Sequence, residues 1–495
     1  MTSVAALLPY DVLRDIIDEV PKSDFAILCV LRLVSKAINE IVEPKVFAST
    51  SISFADRPYT PAQLEAMASG NSPYSQWTTS LSIRKMALLP LQDVLAGDRF
   101  QGEERSQLLS CQTAFLVPAL ESLRKLRSVC LDVSRREPFE DVLSSLARLP
   151  NLEELRVLNC DNYEDKPLFL EKFSNLRHIS LSRIYFHPSA VTTLKRMTAQ
   201  SLSTLETLTL APQQVWVPGT GVSTPVKLED LFEESTGVSS SPSLPALNAL
   251  HVTGVELAAT SVHLLRSLVK LQVDILDCRS EPLELDGVRD CFWEALESSG
   301  VRLERLAISH LTPTAVKYLT SYEGLRELFL GPLSFSNDIS HEDHFAEVGP
   351  GVLTQHRKSL KILSLAHLDV AEFICTERDL ELICLCEQLD TLTFGYPESA
   401  FDPERTPTIS LDALFLRIAE RLPRLRQLLI YPKPPGSHFI PQTAAARSNM
   451  ISAFVKAVCE VHYADTVPRF ELLGSYGYGP FDFDLGTRRF VEVKR

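Results

Sequence analysis

Apolar positions follow two different periods along the chain. Near its start Val12, Leu13, Ile16, Ile17 and Val20 recur at three- and four-residue spacing, with Asp11, Arg14, Asp15, Asp18 and Glu19 filling the gaps. That spacing lays an apolar stripe along one face of a helix, and Pro9 suits its first turn. Pro21 ends this helix, and Ser23 or Asp24 is placed to cap a second, short one through Phe25, Ile27 and Leu28. A third is expected from about Leu31 to Val42, with Leu31, Val34, Ile38 and Ile41 on one face and Pro44 as its stop. Helices this short cannot bury all of that apolar surface among themselves, so part of it needs another partner.

From about residue 120 the period changes. The pattern L-x-x-L-x-L returns roughly ten times, its last position open to other aliphatics. It reads LEELRV from Leu152, LRHISL from Leu176, LETLTL from Leu205, LNALHV from Leu247 and LVKLQV from Leu268. It goes on as LERLAI from Leu303, LRELFL from Leu325, LKILSL from Leu360, LDTLTF from Leu389 and LRQLLI from Leu425, with a weaker early copy, LRSVCL, from Leu126. Two apolar residues alternating at period two mark a short strand, and the leucine before them marks the turn that feeds it. One such strand cannot fold alone, but strands stacked side by side make a parallel sheet with a continuous leucine core. Between them FEDVLSSLARL from Phe139, PSAVTTLKRM from Pro188, VRDCFWEALESS from Val288, PTAVKYLTSY from Pro313 and LDALFLRIAERL from Leu411 have helical spacing.

This part of the chain resembles a leucine-rich-repeat solenoid. The resemblance implies an α/β fold with parallel strands on the concave face and helices on the convex face. In each copy the residue between the last two apolar positions then faces the concave side. That row is Arg156, Ser180, Thr209, His251, Gln272, Ala307, Phe329, Ser364, Thr393 and Leu429, a mixed surface suited to recognising a protein by shape and scattered hydrogen bonds. The family's Asn or Cys near the motif's end is clear only as Cys160, with Leu311, Leu333 and Leu368 elsewhere, which predicts a weakened side-chain ladder and an uneven curve. Clusters of Pro, Gly and Ser near 211–245 and 431–447 read as loop excursions. Residues 51–119 are poorly patterned and could hold the first irregular repeats, and the segment ending in FDFDLGTRRFVEVKR could supply a capping strand.

Composition narrows the field. The 495 residues suffice for more than one domain or for an array grown by repetition, and 45% apolar with 23% charged residues suits a sizeable core. A net charge of −14, from 63 acidic and 49 basic residues, works against a phosphate backbone, so nucleic acid is not an expected partner. No basic residue precedes the apolar start Val4 to Leu8, and the run Phe25 to Leu31 falls far short of the ~18 residues of a membrane span, so neither secretion nor a membrane is expected. The ten cysteines are scattered, and Cys29, Cys130, Cys291 and Cys459 lie in apolar periodic segments, as small buried hydrophobes do.

Catalytic patterns are sparse. HEDH at His341 to His344 lacks the HExxH spacing and a third ligand, and CLC at Cys384 to Cys386 lacks a zinc-pair spacing and sits in an apolar stretch. No Walker sequence, GxGxxG or GxSxG elbow is present. No cofactor or metal is expected, although a hydrolase or metal enzyme using His341 and His344 remains a rival.

The amino-terminal helices carry a second resemblance. Leu8, Pro9, Asp11, Leu13, Ile16, Ile17, Val20 and Pro21, followed by Val34, Ser35 and Lys36 in LRLVSK, resemble an F-box over roughly residues 5–50, with Ile38 where the family commonly has tryptophan. An F-box-like helical domain over 5–50, a transitional segment over 51–119 and a repeat array over 120–495 together resemble the substrate-receptor subunit of an SCF-type cullin-RING ubiquitin ligase. The resemblance implies a non-catalytic, intracellular protein of the cytoplasm or nucleus. Leu8, Pro9, Leu13, Ile17, Leu31 and Val34 would contact a Skp-family adaptor, and the array would present an unidentified protein substrate. The alternative is a leucine-rich-repeat interaction scaffold with no ligase role.

Overall fold

The computed structural model describes residues 9–21, 24–53, 60–84, 103–132, 139–158, 169–184, 186, 188–212, 226–232, 247–274, 290–308, 312–330, 350–365, 377–397, 410–433, 452, 454–461, 463, 468, 470–473 and 481–493. The chain divides into two compact units, Met1–Ala246 and Leu247–Arg495.

The first unit opens with α1 (Tyr10–Asp18), α2 (Phe25–Leu31) and α3 (Lys36–Phe47). Asp24 stands at the start of α2 without a side-chain capping bond, and Ser23 lies outside the described residues. The third helix departs from its expected bounds. Leu31 closes α2, a turn follows, and Ser35 starts α3 by accepting the Ile38 amide at 3.2 Å. Nor does Pro44 stop α3, which runs on to Phe47. A proline inside a helix costs about 3 kcal/mol. Burying Val46 and Phe47 beyond it returns about 1.5–3 kcal/mol each, enough to carry the helix through. Leu13, Ile17, Leu28, Ile38, Ile41, Val42, Val46 and Phe47 form the common core of these helices, with Tyr74 and Trp77 packed against it. Lys45 fastens α1 to α3, donating to the Ile17 carbonyl at 2.8 Å and pairing with Asp18 at 2.6 Å.

Phe47 leads almost directly into β1 (Ser49–Ser53). There follow α4 (Thr60–Ala68), α5 (Pro73–Trp77), β2 (Ser80–Arg84), α6 (Glu103–Ser122), β3 (Ser128–Asp132), α7 (Phe139–Ala147) and β4 (Glu154–Leu158). The unit continues with β5 (His178–Ile184), α8 (Pro188–Ser201), β6 (Thr207–Pro212) and the two-residue β7 (Val226–Lys227). Strands β1 to β6 pair in chain order and all in parallel. The parallel strands therefore start with β1, which straddles the boundary between the segments 5–50 and 51–119. Register shows why the motif was invisible there. Phe47, Thr50 and Ile52 at and before β1, and Thr78, Leu81 and Ile83 at and before β2, stand where later copies carry leucines or valines. Thr50 and Thr78 are buried, and their hydroxyls bond each other at 2.9 Å while Thr78 also donates to the Phe47 carbonyl at 3.1 Å.

The second unit holds β8 (Ala249–Thr253), β9 (Val255–Glu256), β10 (Lys270–Asp274), α9 (Asp290–Ser298), β11 (Arg305–Ile308), α10 (Pro313–Thr320) and β12 (Glu327–Leu330). After α11 (350–356) come β13 (Ile362–Ser364), α12 (Glu377–Ile383), β14 (Thr391–Pro397), α13 (Leu411–Arg421) and β15 (Gln427–Lys433). It ends with α14 (454–460), β16 (Glu471–Leu473), β17 (Phe481–Asp484) and β18 (Arg489–Glu492). Strands β8 and β10 to β16 pair in parallel in chain order, and β17 and β18 close the sheet as an antiparallel hairpin. Every L-x-x-L-x-L copy lies on a strand, and the five segments with helical spacing form α7, α8, α9, α10 and α13.

The ladder positions Cys160, Leu311, Leu333 and Leu368 lie outside the described residues, and backbone bonds link the described repeats at the strand entries. At most strand entries one carbonyl accepts two successive amides from the next strand. Arg127 takes Glu153 and Glu154 at 2.8 and 2.9 Å, Glu153 takes Arg177 and His178, and Arg177 takes Glu206 and Thr207. In the second unit Asn248, Val269, Glu304, Arg326, Lys361 and Asp390 do the same in turn. These doubled bonds satisfy backbone amides and carbonyls of the entry turns.

Candidate functional site

Two surfaces stand out, one on the helices and one on the sheet. On the helical module the inward and outward apolar residues separate sharply. Leu13 and Ile17 are 8% and 4% exposed, within the helical core. They are therefore not available as the adaptor contacts they were expected to be: on α1 they occupy the stripe that packs on α3. Leu31 is half-buried against the same core, Pro9 and Val34 are exposed, and Leu8 lies outside the described residues. Apart from Val34, the sequence reading did not name the residues of the opposite set as contacts. Leu33 is 87% exposed, Val30 64%, Val34 56%, and Phe25, Ile16 and Ile27 just over half, with Tyr10 and Val12 close behind. The signal was present, since α1 and α2 carry more apolar residues than one stripe can hold. Which stripe turns inward was settled by α3 and by Tyr74 and Trp77.

On the sheet, the positions expected to face the concave side do form one row in each unit, in unbroken register. Arg156, Ser180 and Thr209 pair in line, and the row extends backward through Cys130 to Ser82 and Ser51, which lie in no L-x-x-L-x-L copy. In the second unit His251, Gln272, Ala307, Phe329, Ser364, Thr393 and Leu429 align, and Leu473 continues them. All face away from the leucine core, but not all are accessible: Ala307 and Thr393 are buried, each 8% exposed. A parallel row two residues earlier shares this face: Ser49, Ser80, Ser128, Glu154, His178 and Thr207 in the first unit, and Ala249, Lys270, Arg305, Glu327, Ile362, Thr391, Gln427 and Glu471 in the second.

The two units therefore present different chemistry. The first is a bench of small hydroxyl side chains with one ion pair at its centre, Arg156 Nε to Glu154 at 2.5 Å. Burial works against the Glu154 carboxylate, but bonds from Ser128 and Arg156 outweigh it and hold the carboxyl below its usual range. Cys130 sits beside this pair, and burial raises its thiol despite Arg156, so it is not an activated thiolate. The second unit's face carries Phe329, Ile362, Leu429 and Leu473 among its polar groups. There Arg305 lies over the Phe329 ring at 4.9 Å and pairs with Glu327 at 3.1 Å.

Elsewhere the described titratable groups serve packing. Cys384 and Cys386 are pushed up to about 11 and about 12, first by burial, and Cys386 lies fully within the core. Cys291, expected to be buried, is exposed, because α9 turns Phe292, Trp293 and Leu296 inward and leaves Cys291 on the other side. The described cysteines are free thiols. His341 and His344 lie outside the described residues, and among those described no cluster of His, Cys, Asp and Glu is arranged to hold a metal ion. No helix among the described residues is long and apolar enough to cross a membrane.

Motif, register and alternating layers together define an α/β repeat protein of leucine-rich-repeat type, with a helical module at its amino-terminal end. No family model matches the sequence, and the comparison with curated proteins found no match. Among solved structures, a chain in the crystal structure of the Rad7 and Elc1 complex in yeast aligns with 87% of this chain and 89% of its own length, at 15% identity and a TM-score of 0.40.

Proposed function

We propose that this chain is the substrate-recognition subunit of an SCF-type ubiquitin ligase. In this reading the helical module docks on a Skp-family adaptor, and through it on a cullin-RING complex, while the open sheet face holds a protein substrate. The chain itself is non-catalytic, ubiquitin transfer belongs to its partners, and it works inside the cell, in the cytoplasm or nucleus. The observation that carries the reading is the group of exposed apolar residues Phe25, Ile27, Val30, Leu33 and Val34, on α2 and the turn after it, in a module whose buried apolar residues form a common core. A group of this kind marks a protein interaction site. Its residues replace Leu13 and Ile17 as the proposed contacts, with Pro9 and Val34 retained from the family resemblance.

The test is capture of a purified Skp-family adaptor by the full chain. Leu33→Asp with Val34→Asp should lower capture at least about tenfold while leaving the melting temperature unchanged, as expected of exposed anchor positions. Undiminished capture by the folded double variant would overturn the docking reading. A second reading is favoured by one observation: α3 passes into β1, the first strand of the parallel sheet, with only Ala48 between, so the helices directly precede the array, as a cap would. A scaffold without ligase function needs nothing more from them, and failure of the wild-type chain to capture the adaptor would support it.

A further inference from the structure

We propose that substrate recognition sits on the open sheet face of the second unit, and that the ligand is a protein segment carrying an aliphatic or aromatic side chain flanked by carboxylates. This rests on the reading of the sheet as the substrate-holding surface, and it adds which part of the sheet and what chemistry. Register places Lys270, Arg305 and Glu327 side by side on β10, β11 and β12, with Ile362 next in line on β13. Phe329 follows Glu327 by two residues on the same face, half-buried beneath the Arg305 guanidinium. Neighbouring strands lie about 5 Å apart, so these side chains form one patch.

Charge and shape both point to the ligand. Lys270 and Arg305 stand beside one carboxylate, Glu327 at 3.1 Å from Arg305, which leaves these three neighbours one positive charge in excess, while the row's other carboxylate, Glu471, lies four strands beyond Glu327. The excess stands out on a chain whose net charge is −14. It favours a carboxylate and rejects a cationic segment, the kind of complementarity that sets specificity more than raw affinity. Phe329 supplies the apolar component, and an aromatic ring stacked with arginine is a composition enriched where a few residues carry most of the binding energy. The equivalent rows of the first unit offer neither. Their side chains before β4 are serines and Cys130, and their arginine, Arg156, is already balanced by Glu154.

The experiment probes the full chain with immobilised short synthetic peptides. Each has a central Leu, Phe or Ser, flanked by Asp and Glu, by Lys, or by Gln. The wild-type chain is expected to prefer Leu- or Phe-centred acidic peptides over the Ser-centred and Lys-flanked sets by about tenfold. Lys270→Glu, at an exposed position, should abolish the preference for acidic flanks, and Phe329→Ala should abolish the preference for an apolar centre. Ser82→Tyr, on the first unit's face, should change neither. Absence of an acidic preference in the wild type overturns the proposal, as does its persistence in Lys270→Glu. Selection that is lost only in Ser82→Tyr overturns the choice of unit. Far-ultraviolet circular dichroism checks that each variant is folded. Adaptor capture is scored in the same preparations. In the wild-type chain, adaptor capture without peptide selectivity counts against this site alone, and peptide selectivity without adaptor capture counts against the ligase reading alone.

Discussion

His356 shows how much one buried side chain fixes in the second unit. Its Nδ1 accepts the Leu325 amide at 3.3 Å and its Nε2 donates to the Leu319 carbonyl at 2.9 Å, so the ring is neutral and joins the end of α10 to the turn before β12. Burial drives its pKa from 6.5 to about 4, against the opposing pull of the Leu319 carbonyl and Glu323. The unfolded chain therefore binds a proton that the folded chain refuses. Stability is fully present above about pH 6.5 and is lost as pH falls toward 4, by on the order of 3 kcal/mol. Urea unfolding of wild type and His356→Gln between these limits should show a shallower pH dependence for the variant. At the other end of the chain, the Thr50 and Thr78 hydroxyls satisfy each other in the core. Thr78→Val should cost about 1–3 kcal/mol by stranding the Thr50 hydroxyl. Adding Thr50→Val should restore part of that loss, so the double variant is more stable than the sum of the single ones predicts. The leucine motif failed at these two positions because a bonded pair of hydroxyls fills a core site about as well as two aliphatic side chains, and a pattern of apolar letters cannot register it.

Elements differ in what holds them. In the second unit the helix layer is linked by contacting rings: Phe292 to Trp293 at 5.4 Å, Trp293 to Tyr318 at 5.7 Å, Tyr318 to Tyr322 at 5.2 Å and Tyr322 to His356 at 5.2 Å. The hydroxyls of Tyr318 and Tyr322 reach the Val301 and Leu303 carbonyls at 3.0 and 3.1 Å, and burial raises both phenols well above their usual range. At the carboxyl-terminal end the β17–β18 hairpin closes the sheet through Phe490, which touches Phe415, Tyr463, Phe470 and Phe483. Phe490→Ala should cost about 3–5 kcal/mol. Repeat arrays depend on nearest neighbours, so hydrogen exchange should rise first in β16 to β18 while β8 and β10 stay protected. The capping strand was legible in FDFDLGTRRFVEV as alternating apolar and polar residues around a turn. Its antiparallel direction was not, because the reversal is made by chain outside any repeat.

At the scale of the whole molecule, charge and exposed apolar surface govern behaviour more than further core detail. The pairs at the strand entries, such as Arg326 with Glu304 at 3.3 Å and Arg426 with Asp390 at 3.2 Å, are substantially exposed. Exposed pairs contribute little and are screened by salt, so raising the salt concentration should leave the unfolding midpoint nearly unchanged. The isolated chain, by contrast, should self-associate through its uncovered helical face. Leu33→Asp with Val34→Asp should reduce that association in analytical ultracentrifugation without lowering stability, because these side chains contribute to no core.

The repeat period, the strands it marks, the helices between them and the row of outward residues were all determined by the sequence alone. Local spacing forces each of them: a strand alternates and a helix returns every three to four residues wherever it sits. Tertiary structure decided what depends on neighbours far apart in the chain. It turned Leu13 and Ile17 inward and left Leu33 and Val34 outside, because α3 and the later residues Tyr74 and Trp77 had first to claim one side of the helices. It carried α3 past Pro44, since Val46 and Phe47 had a core to enter. It brought Lys270, Arg305 and Phe329 into one patch, because only register between strands that are distant in sequence can place them side by side.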